Sequence, residues 1–397
     1  MEALSQRINN LSESATIAMS QKSRELKAEG HDVINMSVGE PDFDTPDHIK
    51  EAAISAIQNN YSHYSPVPGY PDLITAIVDK FKRENKVSFT SKQILVSSGA
   101  KHSLANVFMA LVDAGDEVII PAPYWVSYIE QVKLAEGKNV IIETDISSEF
   151  KISPEQLESA ITPKTKALLL NSPSNPTGSV YTKDELKALA DVLAKNDHVY
   201  VVADEIYEHI NYAGKHESIA QFEEIKDRVV VINGVSKGFA MTGWRIGYLA
   251  APEWLAKACI KLQGQMTSGA SSIAQRASVA ALNSDMTPTY QMKDAFQKRR
   301  DLVLTLLNDM EGIKTTVPDG AFYVFPDVSH YFDKSNGTET IHNSMDFCLY
   351  ILNQAHVATV PGMAFGAPNN VRISYATSEA NIREAMGRIK NALAKLQ

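Results

Sequence analysis

Short runs of consecutive apolar residues recur between about residue 94 and residue 250, separated by longer segments in which apolar positions return every third or fourth residue. Unbroken apolar runs of strand length belong to strands buried on both faces, and the three-or-four spacing belongs to helices with one buried side. The predicted strands are Ile94–Ser97, Glu117–Ile120, Asn139–Glu143, Ala167–Leu170, Val199–Ala203, Arg228–Ile232 and Arg245–Ala250. Helix starts are marked between them. Ser153-Pro154-Glu155-Gln156 combines a capping box with proline at the first helical position, and Thr182 with Glu185 forms a second box. Strands alternating with helices imply βαβ units, hence an α/β fold with a mainly parallel seven-stranded sheet sandwiched by helices. Outside this region the pattern changes. The first thirty residues read as one amphipathic helix ending at Gly30, followed by a short strand over Val33–Val38. After about residue 285 come a long helix (Thr287–Met310), a strand pair near Lys314–Pro326 and a helix-strand-helix ending at Gln397, which predict a smaller α+β domain. The expected division is an N-terminal segment (1–45) packed with the small domain, a large domain (46–290) and the small domain (291–397), with the Thr287 helix as the joint.

A length of 397 residues is enough for two domains, each with its own core. Against 47 acidic side chains stand 38 Lys and Arg, a net charge of -9 that argues against nucleic acid or an anionic membrane as the partner. Only Cys259 and Cys348 occur, both in apolar helical contexts that predict buried packing residues and a reducing compartment. The N-terminal residues carry no basic-then-apolar signal, and no apolar run reaches the length of a membrane span, so the expected location is cytoplasmic. Asn336-Gly337-Thr338 is then a sequon met by chance. The ten histidines are scattered without HExxH or clustered ligand spacing, so no metal is expected.

Loops at the carboxyl ends of the strands are where a doubly wound sheet places its chemistry. Five segments there stand out. Ser97-Ser98-Gly99-Ala100-Lys101 runs from strand to helix through small residues, either a plain βα turn or a phosphate-binding helix start. Asn171-Ser172-Pro173-Ser174-Asn175-Pro176-Thr177-Gly178 is a stiff loop that either simply turns or aims Asn175. Asp204 follows an apolar run, where a carboxylate either begins a loop or needs a cationic partner. Lys237, in Val235-Ser236-Lys237-Gly238, sits among small residues past another apolar strand, and Arg245 follows in Gly243-Trp244-Arg245-Ile246-Gly247. Such a lysine is either a solvated surface group or an amine with depressed pKa. Finally, Arg372 lies inside the apolar run Val371-Arg372-Ile373-Ser374, where it either snorkels or clamps a carboxylate.

In this order and spacing, Asn-Pro-Thr-Gly (175–178), Asp-Glu-x-Tyr (204–207) and Ser-Lys-x-x-x-x-x-Gly-x-Arg-x-Gly (236–247) resemble the class I/II aminotransferases of the fold-type I pyridoxal-phosphate superfamily. The resemblance runs from Ser37-Val38-Gly39-Glu40-Pro41-Asp42 to the Arg372 strand, and it is strongest for bacterial aspartate aminotransferases of the subgroup that includes thermophile enzymes. It implies pyridoxal 5'-phosphate held by Lys237 through a Schiff base, with the freed amine shuttling the substrate proton. Asp204 is implied to pair with the pyridine nitrogen, and Tyr207 and Asn175 to bond the ring's phenolic oxygen. Ser236, Arg245 and the Gly99-Ala100-Lys101 turn are the implied phosphate holders, and Trp125 stacks on the ring. Arg372 and the backbone of Gly39 would take the substrate α-carboxylate. Tyr64 resembles the tyrosine that crosses to the neighbouring subunit's phosphate, which implies a homodimer with shared active sites.

The same resemblance implies transfer between L-aspartate and 2-oxoglutarate. Lys101, with Ser14 and Thr16, matches the subgroup's readers of the distal carboxylate; alternatively Lys101 only supports the phosphate, leaving broad or aromatic specificity. Relatives that also accept prephenate carry a basic residue where Ser12-Glu13 stands here. The rival functions are a C–S lyase on the same fold, and a non-enzymatic sensor, which needs a DNA-binding module absent from the residues ahead of Gly39.

Overall fold

The computed structural model describes residues 3–12 and 15–397, without side chains for 15–18. The expected substrate residues Ser14 and Thr16 therefore lie outside the described residues and side chains.

Among the described residues twelve strands are formed: β1 (Ile34–Asn35), β2 (Ile94–Ser97), β3 (Glu117–Ala122), β4 (Lys138–Glu143), β5 (Thr165–Asn171), β6 (Tyr200–Asp204), β7 (Val229–Gly234), β8 (Gly247–Ala250), β9 (Tyr323–Val324), β10 (Val357–Ala358), β11 (Val360–Pro361) and β12 (Val371–Ser374). Seven build one sheet in the order β2-β8-β7-β6-β5-β3-β4. All its pairings are parallel except those of β8, which runs against both β2 and β7. Two reversals cancel, so β2 ends at the same edge as β7, β6, β5 and β3. Four of the five segments carrying the candidate chemistry are thus delivered to one rim, and the fifth, with Arg372, lies in β12 of the separate three-stranded sheet.

The apolar runs explain why the sheet is buried on both faces. Leu168, Leu170, Val201, Ala203, Val229 and Val231 point into one hydrophobic cluster, and Ala167, Leu169, Val202, Val230 and Ile232 into another. Alternation by two places successive side chains on opposite faces, so a strand covered on both sides must be apolar throughout.

A third cluster joins the C-terminal elements to the N-terminal segment through Met19, Val33, Ile34 and Met36, and reaches Ile206, Tyr207 and Ile210. β1 pairs in parallel with β10, and β12 lies between β11 and β9. Three local expectations are corrected. The described residues among the first thirty form two helices, Gln6–Asn9 and Ala15–Ala28, with Asn10 capping the first; Asn competes with the helix by bonding nearby backbone. The strand pair near Lys314–Pro326 reduces to an isolated bridge between Lys314 and Asp327, and β9 pairs with β12 instead. Pro318, Asp319 and Gly320 interrupt the alternation there. Arg245 does not start a strand: β8 begins two residues later, and Arg245 itself has a left-handed φ of 60°.

Cys259 and Cys348 are fully buried, and burial pushes both thiols up to about 12. No described helix is long and apolar enough to cross a membrane.

Candidate active site

At that rim a cleft of about 330 Å³ is lined by Gly39, Ala100, Lys101, Trp125, Asn175, Asp204, Tyr207, Ser236, Lys237, Arg245 and Arg372. These residues span most of the sequence: Ala100, Trp125, Asn175, Asp204, Ser236 and Lys237 end or follow strands of the large sheet, Arg245 precedes the antiparallel β8, and Gly39 and Arg372 come from the N-terminal segment and β12. Gly99 adjoins them through Ala100. Tyr64 does not join them: it is 97% exposed, on another part of the surface.

Asp204 is the last residue of β6 and is buried. Its Oδ2 accepts the Tyr128 hydroxyl at 2.7 Å and its Oδ1 the Ile206 amide at 3.2 Å. Both donors are neutral. Burial, only partly opposed by Tyr128, Ile206 and Lys237, pushes its pKa up to about 6.

Lys237 follows β7 and donates from Nζ to the Gly39 carbonyl at 2.6 Å. The side chain reaches the cleft, yet its ammonium is enclosed by protein. Desolvation, assisted by Arg372 and Arg245 against the pull of Glu40 and Asp204, brings the amine down to about 8. The apolar setting recognised in the sequence thus has its expected effect on a lysine.

The phosphate-type cradle is built by close backbone packing. In the register of the sheet, Gly247 stands between Ser97 and Gly234. That pairing sets Arg245 beside both Ser236-Lys237 and the start of the helix Ala100–Leu111. Gly99 caps that helix with a φ of 90°, and a side chain there would strike the Arg245 guanidinium; one on Gly247 would strike the Ala100 amide. Arg245 donates to the carbonyls of Thr242 (2.9 Å) and Ser98 (3.4 Å). A helix N-terminus with free amides, next to a guanidinium bonded only to neutral oxygens, is chemistry suited to an anion.

On the opposite wall, Arg372 is 2% exposed in β12. It donates to Asn175 Oδ1 at 2.9 Å and to the Ser37 carbonyl at 2.6 Å, while its Nε has no partner. The guanidinium lies 4.6 Å from the Tyr323 ring centre and 5.1 Å from that of Phe365. A buried guanidinium facing neutral acceptors and aromatic faces is costly unless a carboxylate completes it. Lys101 reaches over the Trp125 ring, Nζ 4.8 Å from its centre, and desolvation with nearby Arg245 lowers its pKa.

Pyridoxal phosphate fits this donor set. A buried carboxylate with neutral donors matches a protonated ring nitrogen, and the Gly99 cradle with Ser236 and Arg245 matches a phosphate. Tyr207 lies beside Lys237 with its hydroxyl bonded to that of Tyr323 at 2.8 Å, and Asn175 bridges to Arg372. Two lining tyrosines went unmarked in the sequence. Tyr128, which holds Asp204, stands one helical turn after Trp125, and that spacing was its signal. Tyr323 stands in an apolar strand run, where a hydroxyl is the odd group among Phe322, Val324 and Phe325.

The family model for class I and II aminotransferases matches residues 31–389. Among similar proteins, the aspartate/prephenate aminotransferase of Nitrosomonas europaea is 48% identical over 98% of this chain and 99% of its own length. The aspartate aminotransferase of Bacillus subtilis is 46% identical over 99% of each. The crystal structure of aspartate aminotransferase from Rhizobium meliloti superposes with a TM-score of 0.97 at 45% identity, covering 100% of both chains. That of the Thermus thermophilus enzyme with maleate gives 0.93 at 42% identity, covering 99% of this chain and 100% of the other. With the motifs, the sheet and these likenesses in agreement, the chain belongs to the class I and II aminotransferases.

Proposed function

We propose that the chain is a pyridoxal-phosphate-dependent aspartate aminotransferase, moving the amino group of L-aspartate to 2-oxoglutarate. The observation that carries the reading is the ordering of charge across the cleft: buried Asp204 on the floor, the Lys237 amine beside it, and Arg372 on the far wall. When bound, pyridoxal phosphate supplies an electron sink for the pair left as the amino-acid Cα loses its proton. This chain's residues do the rest. Asp204 would hold the ring nitrogen protonated, Tyr207 and Asn175 would bond the ring oxygen, and the turn Gly99-Ala100-Lys101 would grip the phosphate through its backbone, with Ser236 and Arg245. Trp125 covers the ring face.

Arg372 fixes the substrate α-carboxylate by a forked pair, with the Gly39 backbone alongside, which orients the Cα–H bond toward Lys237. With a pKa of about 8, the Lys237 amine is partly unprotonated near neutral pH, so Nζ takes the Cα proton and returns it to the acceptor carbon. Lys101, set over Trp125 at the cleft side, reads the distal carboxylate of aspartate or glutamate; Ser14 and Thr16 belong to the same reading.

The chain divides as the sequence suggests into 1–45, 46–290 and 291–397, and the smaller part closes over substrate to exclude water. It works as a homodimer with Tyr64 reaching the neighbouring phosphate. In support, Tyr64 is fully open to solvent, and its neighbours in sequence Tyr61 and His63 line, with Arg276, a depression of about 740 Å³. Two free, buried cysteines suit the cytoplasm. Prephenate is a second acceptor to test, because the N. europaea relative is named for both substrates; Ser12-Glu13 in place of a basic residue favours aspartate here.

A half-reaction screen tests the reading. The yellow, cofactor-loaded protein is mixed with one amino acid at a time, without any oxo acid, and the visible band is followed. L-aspartate and L-glutamate bleach the band to that of the aminated cofactor far faster than phenylalanine does. Pyruvate or ammonia release from a sulfur amino acid, without such bleaching by aspartate, would establish a lyase instead.

A further inference from the structure

Behind the turn that carries Asp204 and Tyr207 lies a charged cluster that the proposed reaction does not use. Glu208, 5% exposed, receives the ammonium of fully buried Lys80. Asn85 donates to its Oε2 at 2.9 Å and Asn233 to its Oε1 at 2.8 Å. Burial alone would raise the acid's pKa, but Lys80, then His209 and His216, hold it ionised well below the usual carboxylate range. Although Glu205, Glu208 and His216 stand within metal-ligand reach of one another, Lys80 already supplies a cation there.

The cluster is tied to the other half of the site at two points. Asn233 is the penultimate residue of β7, and its Oδ1 accepts the Gly234 amide at 2.7 Å, just ahead of Ser236-Lys237. On the other side, His209 packs so closely on Gly238 that a side chain there would meet the imidazole Cγ at 3.0 Å. Glu208 and His209 therefore clasp the Lys237 segment from before and after, while continuing the same turn as Asp204 and Tyr207.

We propose that Glu208, neutralised by Lys80, is a positioning residue that sets the separation between Asp204–Tyr207 and Lys237. The proposal rests on the cofactor reading above. A buried ion pair is a poor source of net stability but, once its hydrogen bonds are satisfied, a stiff one of geometry. Removing a group that orients cofactor-holding side chains from behind weakens binding by roughly tenfold or more.

Asn233→Ala tests this most cleanly, because it cuts the tie to β7 and leaves the Lys80–Glu208 pair intact. Glu208→Gln is the stronger companion, and Leu352→Ala, buried in the C-terminal cluster, serves as a variant destabilised without touching the clasp. Three quantities are read on each: melting temperature, pyridoxal-phosphate dissociation constant, and the pH midpoint of the visible band. The groups facing the clasp, Lys80, Glu84, Glu205, His209 and His216, are the same in wild type and Asn233→Ala, so they do not account for a difference between them. The expected result is cofactor binding weaker by roughly tenfold and a band midpoint moved by about half a pH unit or more in Asn233→Ala, with Leu352→Ala lowering only the melting temperature. Folded Asn233→Ala with wild-type affinity and midpoint overturns the positioning role alone, even if Glu208→Gln does not fold. A wild-type protein that takes up no cofactor overturns the functional reading and this one with it.

Discussion

At the scale of single residues, burial does most of the chemical tuning. Asp204 illustrates the sign. Its folded pKa of about 6 stands above the model-compound value of 3.8, so the cofactor-free fold favours the protonated acid. Stability then falls as pH rises from about 4 to 6, and the full penalty remains at pH 7. Asp204→Asn is expected to stabilise the cofactor-free protein at pH 7 by roughly 1–3 kcal/mol, with the difference vanishing near pH 4. With pyridoxal phosphate present the order reverses, because the carboxylate then has its cation. Chemical denaturation across this pH range, with and without cofactor, checks both signs. Lys101→Ala is expected to cost roughly 1.5–3 kcal/mol on aspartate and glutamate, about tenfold to a hundredfold in kcat/KM, and much less on phenylalanine. An equal loss on all three refutes the distal-carboxylate role. Asp204, Lys237 and Arg372 were legible in sequence because a charge in an apolar run is an anomaly. Tyr128 and Tyr323 were not, because their work is done through Asp204 and Tyr207 across long sequence separations.

Among the elements, the antiparallel strand β8 makes the site close. It carries Gly247 between Ser97 and Gly234, and only hydrogen at that Cα lets the Gly99-Ala100 turn approach. Gly247→Ala is expected to push that turn away, costing roughly 1–3 kcal/mol of stability and weakening the cofactor at least as much. Gly387→Ala is the opposite case. Gly387 lies exposed within the helix Glu379–Leu393 with nothing near a new methyl, so the change stabilises by roughly 0.5–1 kcal/mol. Thermal unfolding of the two variants checks the contrast. The sheet strands were readable to within two residues at each end, because burial on both faces leaves a continuous apolar signature in the central ones. The Lys314–Pro326 segment was not, since an isolated bridge has no periodicity to read, and neither was the left-handed turn that aims Arg245.

Taken as a whole, the molecule is acidic, with a net charge of -9, while its proposed ligands are a phosphate and dicarboxylates. Attraction is therefore local, from Lys101, Lys237, Arg245 and Arg372 within the cleft. The proposed sharing of the site with a neighbouring subunit makes a further demand on the assembly. Sedimentation should give a mass of two chains, and Tyr64→Phe should weaken cofactor binding without changing that mass. A monomer with full cofactor affinity contradicts the shared site.

Lys237 is the proposed point of cofactor attachment. Reduction of the yellow protein with borohydride, followed by digestion and mass mapping of the peptides, locates the attachment directly. The expected result is one phosphopyridoxyl group per chain, on the peptide containing Ser236-Lys237-Gly238, and none in Lys237→Ala. Attachment at another lysine, or no reducible bond at all, would contradict it.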